Sequence, residues 1–364
     1  MALLLNEIEW GEPILPRVPD PSWEATIKRR GAPLGECEQR VSPSVWIREL
    51  CLWVLTYRAR DLPERLATMG AMVSAQETAC RYCYGALRAA MKLLGYSESM
   101  IGRIERDLRV AELDAAEQGY VDFCRRLARS RPRPARADRD ALVALGYAPA
   151  TVNELAFQIA LGTFHNRVTA LIACPPERFF ETLANGPIGY LIGLTEPLTR
   201  ARMRRRQLAQ LPPPPDAQAL RKGVFAPIVA TLAGLPAAAV LKTALDAAFA
   251  SNALSRSVKA LMFAVVARTL ACRHTEAGAR EILRGEGFAE AEIDAALAHL
   301  QCERLPAAER ELPAWTRDTV HYEPGPIQRA SRGLCGRIGE RRFLEAVGVA
   351  ALANTTVRVA MLLE

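Results

Sequence analysis

The feature that most narrows what this chain can fold into is a pattern that it carries twice. The stretch "MVSAQETACRYCYGALRAAMKLLGY" starts at Met72, and "FAVVARTLACRHTEAGAREILRGEGF" starts at Phe263. Setting Cys80 on Cys272, an offset of 192 residues, also brings Gly95 onto Gly287 and Tyr96 onto Phe288. Further on, "NRVTAL" from Asn166 meets "VRVAML" from Val357 at an offset of 191, with Arg167 on Arg358. Two matches at nearly one offset are what a tandem duplication leaves behind, so two diverged copies of one unit are expected.

Each copy reads as helix. Apolar residues recur at helical spacing, and the punctuation is of the helix-ending kind, with Gly95 after "MKLL" and Gly287 after "EILRGE". No convincing alternating strand is present, and a chain rich in Ala, Leu and Arg with only 6% aromatics favours packed helices. The expected fold class is all-α. In the first copy, helices are expected from about Leu62 into the cysteines, from about Arg81 to Leu94, from about Ser97 to Asp107, and from about Pro149 to Ile172. Their counterparts start near Ser255, Thr275, Ala289 and Arg342.

At 364 residues there is room for two cores of roughly 150 to 200 residues each. The run Pro212 to Pro215 is the best boundary, because consecutive prolines cannot continue a helix. The expected division is an N-terminal extension over 1–40, a first helical domain over 41–205, a Pro-rich linker over 206–222 and a degenerate second domain over 223–364.

Several classes of function are disfavoured. The start of the chain lacks a basic n-region and is interrupted by Glu7 and Glu9, so no secretory signal is read there. The charge-free stretch Gly223 to Leu241 carries Pro227, Gly234 and Pro236 and reads as helix, turn, helix instead of a membrane span. Nine cysteines are an odd number without the even spacing of a disulfide framework, so most are expected to be reduced and merely packed. A cytoplasmic setting follows. The net charge of +7 could point to nucleic acid, but the arginines gather in Arg125 to Arg139 and Arg200 to Arg206 without interleaved aromatics. Solvated connectors are the expectation for both.

The chemistry concentrates at Cys80 and Cys83. Cysteines three apart on a helical turn have Cα atoms roughly 5 to 5.5 Å apart, inside the window that a disulfide needs. A cysteine at a helix start also has its thiolate favoured by free N–H groups and the dipole, with Arg81 between the two sulfurs. Glu77 precedes Cys80 by three residues; if the helix is continuous, it shares a face with both cysteines and can exchange a proton with a thiol or a leaving alkoxide. An exposed helix residue is the plain alternative. Tyr82 and Tyr84 are either pocket donors or packing residues. Zinc would need two more ligands, and with no second CxxC or close His pair, distant His165 would have to be recruited. No nucleotide, flavin or haem motif is evident. Neither metal nor cofactor is expected.

The segment "SAQETACRYCYGALRAAMKLLGYSE" resembles the carboxymuconolactone decarboxylase and alkylhydroperoxidase family, and "LAFQIALGTFHNRVTALI" looks like that family's closing helix, with its asparagine-arginine pair at Asn166 and Arg167. The resemblance implies two tandem helical domains, assembly into a homo-oligomer and, in the redox branch, reduction of peroxides by a CxxC pair. On it, Cys80 and Cys83 cycle between dithiol and disulfide, with a hydroperoxide as substrate and a thiol reductant as partner. The family's relay glutamate and histidine fall at Thr68 and Leu87 here, which leaves Glu77, or His165 from the closing helix, as the replacement. In the second copy Thr275 stands where Cys83 would be, so Cys272 is expected to be buried and inert and that half to be structural. Two other classes remain open: a lactone decarboxylase-like lyase or isomerase without thiol chemistry, and a noncatalytic assembly or binding protein.

Overall fold

The computed structural model describes residues 2–110, 112–177 and 204–362. Among them every regular element is a helix and there is no strand, so the chain is all-α. The first half contains α1 (Pro21–Arg30), α2 (Glu36–Arg40), α3 (Val45–Thr56), α4 (Glu64–Glu77), α5 (Arg81–Leu93), α6 (Glu98–Glu105), α7 (Ala115–Arg129), α8 (Arg136–Ala144) and α9 (Pro149–Leu171). Residues 204–209 are helical, and α10 (Ala217–Leu220), α11 (Ala226–Ala230), α12 (Pro236–Ala250), α13 (Arg256–Thr269), α14 (Arg273–Gly285), α15 (Glu290–His299), α16 (Leu312–Asp318), α17 (Pro324–Ile338) and α18 (Glu340–Met361) follow. Of the basic stretch Arg200 to Arg206, the part up to 203 lies outside the described residues.

α9 and α18 form the centre. Apolar residues run all round both, from Leu155 and Phe157 through Phe164 to Leu171 and from Phe343 through Leu352 to Met361, which is the pattern of a helix surrounded by other helices. They pack on each other, and one hydrophobic core runs without a break from Ile8 to Leu362. α18 is long and apolar enough to cross a membrane, but it is buried inside the protein. α3 seats on α18 at Gly348, where an added Cβ would overlap Trp46 and Ile47.

Two consecutive helices and their turns have counterparts at one offset in the two halves. α4 and α13 begin and end 192 residues apart, as do the starts and ends of α5 and α14. Between the helices of each pair sits an alanine in the left-handed region, Ala79 (φ 47°) and Ala271 (φ 53°). The next residue, Cys80 or Cys272, returns its N–H to Ala75 O (2.9 Å) or Ala267 O (2.8 Å). The same pairing closes α5 and α14, where Tyr96 donates to Met91 O and Phe288 to Leu283 O after Gly95 (φ 85°) and Gly287 (φ 82°).

Two further expectations meet the structure differently. The stretch Arg125 to Arg139 is not a solvated connector: Arg125, Arg126 and Arg129 lie on α7, Arg136 and Arg139 on α8, and Arg125 is buried with bonds to Glu77, Asp107 and Ile104 O. The amphipathic period of α7 carries this arginine inward, where carboxylates meet it. The N-terminal 1–40 segment is also built into the core, through Ile14 N to Ile172 O (3.0 Å), Trp10 Nε1 to Cys174 O (2.9 Å) and Gly11 N to Gln328 Oε1 (2.8 Å). The Gly223 to Leu241 stretch is helix, turn, helix, from α11 into α12.

The halves are tied by two buried arginines. Arg167 on α9 donates Nη2 to Val320 O (3.0 Å), and Arg358 on α18 donates Nη2 to Ala128 O (3.2 Å), so each reaches into the other half at acceptors that are themselves 192 residues apart. Burial lowers both guanidinium pKa values, that of Arg167 to about 10, and the Arg167 charge adds to the effect on Arg358. Beside them, burial and the charges of Arg131, Arg358 and Arg167 push His321 down to about 4. A folded-state value below the ordinary 6.5 means that the unfolded chain binds the proton first. Stability is therefore expected to fall as pH drops from about 6.5 to about 4, and urea midpoints for the His321→Asn variant should lose less over that interval than those of the parent chain.

Candidate functional site

The turn that joins α4 to α5 fixes the CxxC pair. Ala79 in the left-handed region ends the run of α4, so Cys80 stands as the N-cap of α5 and its Sγ accepts the Cys83 N–H at 3.3 Å. Cys83 lies one turn in. Both sulfurs face the closing segment of α9: Cys80 Sγ is 3.1 Å from Thr169 Oγ1, and Cys83 Sγ is 3.6 Å from the same hydroxyl and 3.3 Å from His165 Nδ1. Thr169 is held in turn by its bond to His165 O (2.9 Å). All nine cysteines are free thiols.

The same turn corrects the reading of Glu77. The helix is not continuous through Cys80, and Glu77, the last residue of α4, points to α7 instead of the sulfurs. Its carboxylate is buried and binds Arg125 Nε (3.1 Å), Arg129 Nε (2.6 Å) and Arg129 Nη2 (2.9 Å). His165, by contrast, is brought to the pair. Tyr82 stands near its ring, at 6.0 Å between centroids, and donates to Glu177 (3.3 Å). Tyr84 is turned away to Glu105 (2.7 Å).

Four residues that sequence reasoning missed complete the surroundings. Glu38, on α2, presents Oε1 3.6 Å from His165 Nε2, while its Oε2 accepts the Gly35 N–H at 3.0 Å. Cys37 adjoins His165, and Cys51 and Cys174 adjoin Cys37; all three cysteines are fully buried. The one available signal was comparison of the copies: at matched positions Thr275 replaces Cys83, Thr356 replaces His165 and Ala360 replaces Thr169. In the second copy Cys272 is buried, 3.4 Å from Thr275 Oγ1, and His274 is exposed.

Electrostatics divides the roles of the two sulfurs. Burial opposes ionisation of Cys80, but hydrogen bonds from Cys83 and Thr169, with the His165 charge, bring its pKa below the ordinary thiol value. Burial and the Cys80 anion hold Cys83 well above it. Of the two thiols, Cys80 is therefore the one that ionises more readily. Burial also works against a charge on His165, yet Cys37 and then Glu38 outweigh it and raise the imidazole to about 10.

A cavity of about 510 Å³ opens on this group. Its wall includes Cys83, His165, Glu38 and Tyr82, together with Thr68 and Leu87, and the rest is largely aliphatic. Cys80 does not reach it; at 0% exposure it lies behind Cys83. The arrangement can bring a small, partly apolar molecule against one thiol while a second thiol and an imidazole wait beside it.

Compared with family models, with curated proteins and with solved structures, the chain gives no match in any of the three. Because Glu77 is buried against Arg125, with the half-exposed Arg129 on its other oxygen, and touches neither sulfur, Glu77→Gln is expected to cost about 2 kcal/mol in urea unfolding while leaving the alkylation rates of Cys80 and Cys83 unchanged.

Proposed function

We propose that the protein is a thiol-dependent oxidoreductase of the alkylhydroperoxidase type, in which Cys83 attacks a hydroperoxide and Cys80 resolves the product. The observation that carries this reading is the position of Cys83, at the wall of the cavity with His165 Nδ1 at 3.3 Å and Cys80 directly behind it. The likeness of the CxxC segment to the carboxymuconolactone decarboxylase and alkylhydroperoxidase family supports it. That family's relay positions, Thr68 and Leu87, line the same cavity, and the carboxylate and imidazole lost there are supplied by Glu38 and His165.

The chemistry balances with these groups. Cys83 passes its proton to the Cys80 thiolate and attacks the terminal oxygen of the peroxide, so that an S–O bond forms and the O–O bond breaks. Protonated His165 gives its proton to the leaving alkoxide. The Cys80 thiol then attacks the sulfenic acid, and its proton leaves with the hydroxyl as water while the Cys80–Cys83 disulfide closes. A thiol or dithiol reductant returns two electrons and two protons. The aliphatic wall favours an organic hydroperoxide, and the family likeness adds a homo-oligomer in which each chain stands for two units.

The test is a stoichiometric dose of an organic hydroperoxide on the reduced chain, followed by alkylation and intact mass. One disulfide mapping to Cys80 and Cys83 is expected, with Cys83→Ser abolishing it, Cys80→Ser leaving a trappable sulfenic acid, and His165→Gln slowing oxidation by roughly 10²-fold. If the pair reacts no faster than the other seven cysteines, the reading falls and a noncatalytic helical scaffold takes its place.

A further inference from the structure

Beside the imidazole lie two further cysteines that the peroxide chemistry does not use, and with the ring they make a second group of ligating side chains. Cys37 on α2, Cys51 on α3 and His165 on α9 bring two sulfurs and a ring nitrogen within 4.8 Å of one another, and all three residues are buried. Ligand atoms around a tetrahedral zinc, with bonds of about 2.3 Å to sulfur and about 2.0 Å to nitrogen, stand roughly 3.5 to 3.8 Å apart. The group is close to that geometry already.

A separate observation points to a missing partner. His165 Nε2 and Glu38 Oε1 are both buried, neither has a hydrogen bond, and they stand 3.6 Å apart. Buried polar atoms left so are uncommon and require an occupant or a reason. A proton shared between them would draw them together; an ion bound by both would hold them at about this distance. His165 Nδ1 is taken by Cys83, which leaves Nε2 as the ligating atom.

We infer that Cys37, Cys51 and His165 form a binding site for one thiophilic divalent ion of the zinc class, with Glu38, which stands 3.6 Å from His165 Nε2 but outside the three-atom group, drawing in as the fourth ligand. Two thiolates offset the divalent charge in a buried site, the Glu38 carboxylate adding one further negative charge, and sulfur and imidazole select zinc over magnesium or calcium. Binding displaces the proton of Nε2 and leaves both sulfurs as thiolates, so protons are released. The ion would join α2, from the N-terminal segment, to α3 and to the central α9. This goes beyond the peroxidase reading and does not depend on it, although the two share His165. With the ion on Nε2, the ring no longer carries the second proton that the peroxide step draws on, so the loaded protein is the resting form.

The experiment uses the full chain, reduced, stripped by a chelator and dialysed against zinc, with the metal counted per chain, and a parallel titration with cobalt followed by absorption. One zinc per chain is expected, together with a thiolate-to-cobalt charge-transfer band and a rise in Tm of roughly 5 °C. Cys51→Ser should lose the band and bring the zinc count below about a tenth, whereas Cys80→Ser and Cys83→Ser should keep both. Should Cys51→Ser fail to fold, Glu38→Gln, which keeps both thiols, should weaken zinc binding by roughly 10-fold or more. The inference is overturned if the reduced chain retains no zinc, if zinc is lost in the Cys80 or Cys83 variant, or if Cys37 and Cys51 prove to be joined by a disulfide. Peroxide-driven closure of the Cys80–Cys83 pair, measured by mass, reports separately on the peroxidase reading.

Discussion

Two guanidinium groups set the terms for the rest of this molecule. Arg167 and Arg358 are buried to 2% and 0% exposure, and neither has a carboxylate partner among the described residues. A charge in such a place must be hydrogen-bonded or the fold does not tolerate it. Arg167 finds an acceptor on its own helix at Thr163 O and Arg358 finds two, Asn354 O and Asn354 Oδ1, and each has one across the centre, Val320 O or Ala128 O. The acceptor that satisfies one half therefore belongs to the other. Each guanidinium thus bonds to both halves through its Nη atoms, although Nε of each has no hydrogen bond among the described residues, and the same helix that carries Arg167 presents His165 and Thr169 to the start of α5.

Local rules made much of the fold legible. Helices α5, α6 and α9 lie within about two residues of where periodicity, Gly95 and Pro149 put them, since each of those signals acts within one or two turns, whereas α4 stops at Glu77, short of the cysteines it was expected to reach. The offset read from letters recurs in the hydrogen bonds of both turns. What escaped is either non-local or contrary to propensity. Ala79 takes a positive φ that alanine seldom adopts, and no letter announces it; the spacing argument for Glu77 failed at that residue. Glu38 and His165 are 127 positions apart, and only the packing of α2 on the α9 end brings them together. The arginines of α7 looked like a solvated run because composition does not say which face of a helix turns inward.

The same backbone is used differently in the two halves. Glu154 and Glu345, at matched positions, are both buried acids. The first binds the Tyr57 hydroxyl at 2.7 Å; the second binds Trp46 Nε1 at 2.9 Å and pairs with fully buried Lys259 at 3.1 Å. The second half keeps the turn at Ala271, the cap residue Cys272 and the arginine at 358, which are the parts that hold shape. It replaces the parts that could hold a thiolate and an imidazole. The first half, in exchange, keeps two thiols and an imidazole in contact inside its core.

Such a division is open only to a single polypeptide. In a dimer of identical chains with this packing, every substitution occurs twice, once on each side of the axis, so a residue cannot be reactive on one side and inert on the other. Here positions 83 and 275, or 165 and 356, are encoded separately. The chain can remove a buried imidazole from one side without surrendering it on the other. The contact between α9 and α18 is also intramolecular, so it does not loosen on dilution, and the shape of the Cys83 cavity is independent of how much protein surrounds it.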